Sequence, residues 1–367
     1  MSKTIVLAAG GSGGHLFPAF ALAEELGRRG YTVDLATDAR GDQYGKGFPA
    51  RHIHHVPSAT TASRSPIALT KTALTLAQGV RQARKILNEV EASAVIGFGG
   101  YPCFPPIVAA ALKGIPTALH EQNSVLGRAN RMLAGRVNAL ATSFDNVKFI
   151  TKDLAEKVYF TGNPVRQIVS ESANRSYRPP WTGDPIHLVV FGGSQGARYF
   201  SDAVPPAIVA LPEEIRVRLF ILQQCRAEDL DQVRATYAEA GIQATCGTFF
   251  PDLPRWISEA HLVICRGGAT TIAELAVIGC PSVLVPLPHS LDNDQLENAR
   301  AMSEAGAAWC IEQKDLDPAR LTEGLTSVFN SPQELENAAA AAREMGRPNA
   351  VNNLADLAEG LASGESS

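Results

Sequence analysis

The chain has 367 residues, of which 45% are hydrophobic and 19% are charged, an ordinary globular composition with enough apolar residues for two cores. A formal net charge of −4 and a sequence pI near 6.1 give no global attraction for polyanions, which excludes nucleic acid as an expected partner. Six scattered cysteines without a C-x-x-C pair predict reduced thiols. No apolar run approaches the roughly 18 residues that span a bilayer, and no signal pattern opens the chain, so we expect a cytoplasmic protein.

One unit occurs four times along the chain: a short apolar run, a glycine cluster and a helix-like stretch. The copies begin at Ile5, Val95, Leu188 and Leu262. Each predicts a buried parallel strand that turns into the N-terminus of a helix. Continuous apolar runs that alternate with helices, such as those predicted at 18–29 and 104–113, are what a sheet covered on both faces requires. The predicted fold class is therefore α/β, with Rossmann-like, doubly wound parallel sheets.

Two copies fall in each half of the chain, which predicts two domains of similar size. The polar stretch from Gly162 to Pro185, rich in proline and glycine, is typical of a linker. We therefore place an N-terminal domain at residues 1–161 and a C-terminal domain at 162–344. A last helix within residues 345–363 is hypothesised to pack back on the first domain.

The first glycine cluster, from Gly10 to Gly14, predicts an anion site. Glycines let backbone N–H groups approach an anion at the positive end of a helix, although such a turn can also serve helix–strand packing alone. The cluster nearly matches the dinucleotide pattern G-x-G-x-x-G, and Asp34 or Asp38 favours that alternative. Leu16 occupies the position of the third glycine, which opposes an NAD site.

Histidines at two places are candidates for chemistry. His15 directly follows the first glycine cluster, and an imidazole ordinarily titrates near neutral pH. It is therefore a candidate general base, with a structural histidine as the alternative. The group of His52, His54 and His55 resembles a set of metal ligands. It lacks a carboxylate or cysteine at ligand spacing and lies on a predicted strand, so no metal is expected there.

Four polar residues, from His120 to Asn123, follow a strand predicted at 115–119. The carboxyl ends of parallel strands line the crevice where ligands bind in open α/β sheets. The cluster shares this edge with both glycine turns of the first half. This placement favours a binding role over a solvated loop.

The second half has two further glycine turns that could bind phosphate, at Gly192 to Ala197 and at Arg266 to Glu274. Thr271 and Glu274 fit a capping box, in which Glu274 would only close the helix N-terminus. Alternatively, its carboxylate accepts two vicinal ribose hydroxyls, and the sequence leaves both roles open. The D-x-D from Asp292 to Asp294 lies in a loop that enters a helix. Helix N-termini that face a diphosphate need no cation, so neither a metal nor another cofactor is expected.

The interval between Asp42 and Glu89 has no acidic residue. Within it, Arg64, Lys71, Arg81, Arg84 and Lys85 are interleaved with Ile67, Leu69, Leu74, Leu76 and Val80. Apolar side chains of this kind can enter a membrane interface, while each basic residue gains about 1 kcal/mol from anionic lipid. Residues 64–85 therefore predict contact with an anionic membrane surface, and an ordinary amphipathic helix with a solvated basic face is the alternative.

Six motifs together resemble the MurG family of bacterial glycosyltransferases. In chain order they are GGSGGHLFP from Gly10, GFGGYP from Gly97, HEQN from His120, GNPVR from Gly162, GGSQGA from Gly192 and the segment from Cys265 to Glu274. The resemblance extends from the first strand to at least Asn298, and the set of motifs is far more specific than any single glycine turn. It implies the GT-B fold, with two Rossmann-like domains that face each other across a cleft.

The same resemblance implies an inverting hexosyltransferase of peptidoglycan synthesis. Members transfer N-acetylglucosamine from UDP-N-acetylglucosamine to the muramyl 4-hydroxyl of a lipid-linked pentapeptide precursor, lipid I, which yields lipid II. They act peripherally at the cytoplasmic face of the bacterial inner membrane. The implied context is cell-wall biogenesis, cell shape and cell division, with other cell-wall synthesis proteins as candidate partners.

Residue roles are also implied by the resemblance, with His15 as the base. The implied substrate-binding residues are Ser12, Gly13 and Gly14 at the sugar and diphosphate, Asn123 at the sugar, Arg166 and Ser194 at the nucleotide or its diphosphate, Ala269, Thr270 and Thr271 through backbone N–H groups, Glu274 at the ribose, the backbone near Phe250 at the uracil, and Gln295 with Asn298 at the sugar. Two features depart from the family. The turn after Tyr101 is bulkier, and a longer loop at residues 288–294 leaves the choice between Gln295 and Asp294 open.

A single in-line displacement needs one base, unlike the paired carboxylates of a retaining enzyme. The sequence also leaves four alternatives open. Two are related enzymes, a glycolipid transferase with another acceptor and a UDP-sugar 2-epimerase, of which the epimerase needs no lipid. The others are an NAD-dependent oxidoreductase and a non-catalytic nucleotide-sugar sensor.

Overall fold

The computed structural model describes residues 2–10, 13–38, 47–59 and 65–364, without the side chains of 194–197. The chain divides into two compact units. Unit 1 comprises Met1–Arg166 and Arg347–Ser367, and unit 2 comprises Gln167–Gly346. The division lies a few residues beyond the boundary proposed from the sequence, because residues 161–165 are buried in unit 1.

Unit 1 is a parallel sheet flanked by helices. Its strands within the described residues are β1 (Thr4–Ala8), β2 (Thr32–Thr37), β3 (Ile53–His55), β4 (Ala92–Gly97), β5 (Thr117–Glu121), β6 (Ala139–Thr142) and β7 (Val158–Phe160). Its helices there are α1 (Gly13–Arg28), α2 (Pro66–Glu89), α3 (Phe104–Leu112), α4 (Arg128–Leu133) and α14 (Ala350–Ser363). The sheet order is β3-β2-β1-β4-β5-β6-β7, with parallel pairing throughout these strands.

Unit 2 repeats this architecture. Its described strands are β8 (Ile186–Phe191), β9 (Leu219–Gln224), β10 (Gln243–Gly247), β11 (Leu262–Cys265), β12 (Ser282–Leu284) and β13 (Ala308–Cys310). Its described helices are α5 (Gln167–Ser172), α6 (Gly193–Val209), α7 (Glu213–Arg216), α8 (Leu230–Glu239), α9 (Leu253–Glu259), α10 (Ala269–Ile278), α11 (Asp294–Glu304), α12 (Pro318–Phe329) and α13 (Pro332–Met345). The order is β10-β9-β8-β11-β12-β13, again parallel.

Alternating residues of the apolar strands enter opposite cores. In β1, Ile5 and Leu7 join a cluster with α1 and α14, whereas Val6 and Ala8 join a cluster with α2 and α3. This two-sided burial explains why β1 is continuously apolar. The residues that follow each strand are therefore held at one edge of a rigid sheet.

The C-terminal helix α14 packs on α1 in unit 1. Leu354 and Ala358 are buried in its core, and Arg29 Nη1 lies 2.5 Å from Asp356 Oδ1 and also pairs with Glu359. Arg29 Nε donates to Glu25 Oε1 at 2.6 Å, and the Arg28 and Arg29 guanidiniums lower the pKa of Glu25. Apolar burial and an ion-pair cluster together fasten the end of the chain to unit 1.

Two general expectations can be compared with the described residues. All six cysteines are free, and five of them are buried, as expected for reduced thiols. Among the helices of the described residues, none combines the length and apolarity needed to cross a bilayer.

Candidate active site

His15 lies near the start of α1, with its ring against the glycine turn that follows β4. A Cβ added to Gly99 would lie 3.3 Å from His15 Cε1, and one added to Gly100 would lie 3.3 Å from Cδ2. Both glycines have positive φ, 86° and 71°, a backbone conformation that side-chain-bearing residues rarely adopt. The backbone of this second glycine cluster therefore packs against the His15 ring. The sequence pattern gave no indication of this contact.

The His15 ring is held from its other side by Gln122. The Nδ1 atom of His15 lies 3.0 Å from Gln122 Oε1. The Nε2 atom of Gln122 lies 2.9 Å from Phe98 O, 2.9 Å from His120 O and 3.0 Å from His120 Nδ1. His120 Nε2 in turn lies 3.0 Å from Gly162 O. Gln122 is 1% exposed and His120 is fully buried, so the network is enclosed by the protein.

The structure corrects the predicted environment of the HEQN motif. His120 and Glu121 belong to β5 rather than to a loop after it, and the first three residues of the motif are buried. The Glu121 carboxylate accepts from Gly127 N at 2.8 Å, Asn130 Nδ2 at 2.7 Å and Asn123 N at 3.1 Å. Burial raises the pKa of Glu121, although these donors oppose the shift. Glu121 thus organises the loop that carries Asn123.

The first glycine cluster is described in part. Gly11 and the predicted contact Ser12 lie outside the described residues, whereas Gly13 and Gly14 form the start of α1. A Cβ on Gly10 would lie 2.9 Å from Thr37 Oγ1 and 3.0 Å from Pro102 Cγ. Gly10 is therefore required by close packing, in addition to any role in binding.

Two other predicted donor contacts in unit 1 are partly accessible. Asn123 is half-buried, and its Nδ2 lies 3.4 Å from Glu121 Oε1. The Arg166 guanidinium lies 5.6 Å from the ring centroid of Phe17 on α1. A cation–π contact of this kind holds the arginine beside the same helix that carries His15.

In unit 2, α10 begins at Ala269 with Gly268 as its N-cap and no side-chain cap. The capping-box interpretation of Glu274 is therefore wrong, because Thr271 is the third residue of the helix and not its cap. Glu274 is 6% exposed. The buried Thr270 Oγ1 has no hydrogen-bond partner among the described residues. A helix N-terminus without a side-chain cap is a common environment for an anion.

The glycine turn before α10 packs closely on α11. A Cβ on Gly267 would lie 2.4 Å from Gln295 O, and the fully buried Asn298 donates from Nδ2 to Gly267 O at 3.0 Å. Asn298, predicted as a sugar contact, thus braces this turn. Gln295 Oε1 accepts from Leu287 N at 3.0 Å, and Asp294 Oδ1 accepts from Gln295 N at 2.7 Å. Both alternatives for the donor contact therefore make local backbone hydrogen bonds.

Arg266, which precedes this turn, faces the interior. Its guanidinium donates to Val285 O at 3.0 Å and to Gln313 Oε1 at 2.8 Å, and lies 4.9 Å from the Phe200 ring centroid. Burial lowers the pKa of Arg266. Through these partners the Arg266 side chain connects separate segments of unit 2. The glycine-rich sequence around Arg266 gave no indication of this structural role.

The remaining two predicted contacts of unit 2 lie at strand ends. The backbone of Ser194 belongs to α6, which begins at Gly193 after β8, and its side chain lies outside the described residues. The ring of Phe250 covers Gly247 at the end of β10, since a Cβ there would lie 3.0 Å from Phe250 Cζ.

The histidine group on β3 has a structural partner. His54 Nε2 lies 3.4 Å from Asp34 Oδ2, and Arg51 donates to both oxygens of this fully buried carboxylate, at 3.1 and 2.8 Å. Burial raises the pKa of Asp34. The Arg51 and His54 side chains together lower this pKa by more, so the net shift is downward. Across the described ranges, no group of three metal-ligating side chains converges.

Comparison with known families decides the class of this protein. Residues 5–142 match the glycosyltransferase family 28 N-terminal domain, and residues 187–356 match the glycosyltransferase family 28 C-terminal domain. The chain belongs to glycosyltransferase family 28.

Relatives of this family 28 chain match it over nearly its full length. A Brucella abortus (strain S19) protein is 50% identical over 361 residues, covering 98% of this chain and 95% of the relative. A Rhizobium etli (strain CIAT 652) protein is 48% identical over 366 residues, covering 100% and 97%. Both are named UDP-N-acetylglucosamine–N-acetylmuramyl-(pentapeptide) pyrophosphoryl-undecaprenol N-acetylglucosamine transferase. The crystal structure of Acinetobacter baumannii MurG has a TM-score of 0.80 at 29% identity, covering 97% of this chain and 99% of that one.

These matches confirm the resemblance to the MurG family, the GT-B fold class and the expectation of a hexosyltransferase. They also rule out the NAD-dependent oxidoreductase. The near-match to G-x-G-x-x-G belongs to a family 28 transferase. Asp34, which favoured NAD, forms a buried ion pair with Arg51 instead.

Proposed function

We propose that this family 28 chain transfers N-acetylglucosamine from UDP-N-acetylglucosamine to the muramyl 4-hydroxyl of lipid I and thereby forms lipid II for peptidoglycan synthesis. The observation that carries this function is the 50% identity, over 98% of the chain, to a relative named for that transfer. A UDP-sugar 2-epimerase would need the same donor site but no acceptor, and serves as the rival outcome in the test below.

The proposed chemistry is one in-line displacement that inverts the anomeric centre. The acceptor oxygen forms a bond to the anomeric carbon, the bond from that carbon to the diphosphate oxygen breaks, and its electron pair leaves with UDP. His15 takes the proton of the acceptor hydroxyl. Its ring is half-buried and held by Gln122, which supports a base of fixed orientation. Base assistance of this kind contributes about 10²- to 10⁴-fold.

The proposed donor site in unit 2 centres on the N-terminus of α10. Backbone N–H groups of Ala269, Thr270 and Thr271 would face the diphosphate, where the helix dipole stabilises the negative charge that grows as UDP leaves. The unpartnered hydroxyl of Thr270 supports this assignment. Glu274 lies on the same helix, and the family resemblance assigns its carboxylate to the ribose hydroxyls.

Other donor contacts are proposed from the family resemblance alone. Gly13, Gly14 and Asn123 would meet the sugar from unit 1, together with Ser12. Arg166 and Ser194 would meet the nucleotide or its diphosphate, and the backbone near Phe250 would meet the uracil. Gln295 would contact the sugar, and Asn298 would act through Gly267, whose carbonyl it holds. In this assignment unit 1 supplies the base and unit 2 binds the nucleotide, while no metal takes part.

A membrane contact is proposed for the first half of α2. Ile67, Leu69 and Leu74 are 82%, 48% and 67% exposed, and Lys71 is exposed beside them. The second half packs on α3, where a Cβ on Gly79 would lie 3.0 Å from Pro105 Cγ. The packed second half of α2 therefore anchors the helix to unit 1, while the apolar side chains of its first half are exposed to solvent. Exposed apolar side chains of this kind can insert into a membrane interface.

Basic residues extend along the same helix. Arg81, Arg84 and Lys85 are exposed, Val80 packs partly into the core of unit 1, and Arg64 lies outside the described residues. Cationic side chains beside an apolar end favour anionic lipid. We therefore propose peripheral binding at the cytoplasmic face of the inner membrane, where a lipid-linked acceptor resides, with roles in cell shape and division and with other cell-wall synthesis proteins as partners.

An acceptor assay tests the function. The protein is incubated with labelled UDP-N-acetylglucosamine, either with or without lipid I, and the products and the anomeric configuration are determined by NMR. The proposal predicts labelled, β-linked lipid II and UDP only when lipid I is present. Release of a 2-epimerised sugar without acceptor, or transfer confined to a different glycolipid, would overturn it.

A further inference from the structure

The base needs one particular tautomer. A neutral imidazole carries its proton on either Nδ1 or Nε2, and the nitrogen without the proton is the one that can accept another. In water both forms are populated, whereas in a protein the partner of one nitrogen decides the form. The identity of the atom that faces His15 Nδ1 therefore determines whether Nε2 is able to act as a base.

That atom is assigned by the surroundings of Gln122. The amide nitrogen of Gln122 lies 2.9 Å from two carbonyl oxygens, those of Phe98 and His120. Carbonyl oxygens only accept, so the NH₂ group must face them, and the reverse placement would set oxygen against oxygen. Oε1 consequently points at His15, where it accepts a hydrogen bond at 3.0 Å, and the proton of His15 must lie on Nδ1.

His120 reinforces the same orientation of Gln122. Its Nε2 lies 3.0 Å from Gly162 O, an acceptor, so Nε2 carries the proton and Nδ1 has the lone pair. That lone pair lies 3.0 Å from Gln122 Nε2, which can donate to it. Complete burial lowers the pKa of His120 to about 4, so the residue is neutral at neutral pH and its Nδ1 remains an acceptor.

We propose that Gln122 is a positioning residue that holds the proton of His15 on Nδ1 and so directs the lone pair of Nε2 to the acceptor hydroxyl, with its own orientation set by Phe98, His120 and the Gly162 carbonyl. The inference rests on the proposed role of His15 as base. The relay begins at Gly162, where a Cβ would lie 2.6 Å from Arg347 Cβ, so the carbonyl that starts it is held where the two chain segments of unit 1 meet.

The direct test is a spectrum of the unmodified enzyme. Protein labelled with ¹⁵N-histidine is examined by long-range ¹H–¹⁵N correlation at about pH 8, above the ordinary histidine pKa of about 6.5. The His15→Ala and His120→Gln variants assign the two imidazoles. The inference predicts opposite tautomers, with the proton on Nδ1 of His15 and on Nε2 of His120. A His15 proton on Nε2, or an averaged mixture, overturns it.

Kinetics then distinguish positioning from simple packing. Gln122→Leu is expected to give a mixture of His15 tautomers and to lower kcat by about 10²-fold. The effect should be smaller than the decrease of about 10⁴-fold in a serine protease whose charged, tautomer-holding aspartate is replaced, because Gln122 is neutral. The Kd for UDP should change less than about twofold, because the donor is bound by other groups. A pure-Nδ1-H spectrum with unchanged kcat in this variant overturns the inference.

Two controls complete the design. Gln223 in β9 is likewise fully buried, with its amide on Phe200 O and its oxygen accepting from Tyr237, so Gln223→Leu measures the loss of a buried amide in unit 2 and should leave the His15 spectrum unchanged. In a His15→Ala background, Gln122→Leu should lower kcat less than about twofold further, since coupled residues are not additive. A full further loss in that background contradicts positioning through His15.

The two proposals fail separately. Absence of transfer to lipid I would overturn the proposed function and leave the spectrum unaffected. Normal transfer with the opposite His15 tautomer would overturn this inference alone.

Discussion

The ring of His15 lies against the backbone of Gly99, so that a Cβ at position 99 would be 3.3 Å from Cε1. Gly99→Ala should therefore displace the ring and lower kcat at least about tenfold, since small misplacements of a reacting group are costly. Gly114→Ala is the matched control, because Gly114 also has a positive φ, 68°, but open space around its missing Cβ. Both variants carry about 1–2 kcal/mol of backbone strain. Equal kcat values in steady-state assays of the two variants would show that the Gly99 backbone does not position the His15 ring.

Glu274→Gln should weaken UDP binding by about 10- to 100-fold, because a hydrogen bond to a charged group contributes about 1.5–3 kcal/mol. Binding of UDP and its 2′,3′-dideoxy analogue is compared by calorimetry. The wild type should lose affinity for the analogue, and the variant should bind both ligands alike. Glu323→Gln, on an exposed position of α12, is the control. If the variant still discriminates between the two ligands, Glu274 does not contact the ribose.

Substituting both Ile67 and Leu74 by Gln should reduce membrane binding at least about tenfold, because two exposed apolar side chains would no longer enter the interface. Co-sedimentation with vesicles of phosphatidylcholine and anionic phosphatidylglycerol measures this. Val217→Gln changes a residue of similar exposure, 69%, in unit 2 and should have no effect. Undiminished binding of the double variant would remove α2 from the membrane contact.

Burial lowers the pKa of His261 to about 4, and the ordinary value in an unfolded chain is about 6.5. Between these pH values the unfolded state binds more protons than the folded state. The contribution of His261 to the free energy of unfolding is therefore fully present above pH 6.5 and decreases as the pH falls toward 4. At pH 5 the loss from this group is about 2 kcal/mol. His261 Nδ1 accepts from His187 N at 2.8 Å, and His261→Asn keeps an acceptor there without a titrating group.

Urea unfolding at about pH 7 and pH 5 tests this linkage. The stability of the His261→Asn variant should depend less on pH than that of the wild type, while the exposed His52→Asn should match the wild type. The same pH dependence in all three proteins would show that His261 does not titrate in this range.

Much of the fold could be predicted because its physical causes are local. The apolar runs at Ile5 and Leu188 are buried on both faces, which only a covered sheet requires. Helix starts were less accurate, since α1 begins at Gly13 and not at Pro18. The glycines before Pro18 have weak helix propensity and gave no signal that the helix had started.

The site could be predicted in its residues but not in their relationships. His15 and Gln122 are 107 positions apart, and no local pattern indicates that one holds the other. The glycine pattern predicted anion binding at the turn that contains Gly267 and no specific role for Gly99, whereas both glycines are required by close contacts, with Gln295 and His15 respectively. Likewise Asn298 reaches Gly267 only through tertiary packing of α11 on the turn before α10.

In the proposed mechanism, His15 is the base of a transfer to a lipid-linked acceptor. The most direct measurement is the single-turnover rate of lipid II formation by wild type and His15→Ala, with donor and lipid I both saturating and with UDP affinity determined in parallel. For His15→Ala we expect a rate lower by about 10²- to 10⁴-fold and a Kd for UDP within about twofold of the wild type. An unchanged rate would contradict it.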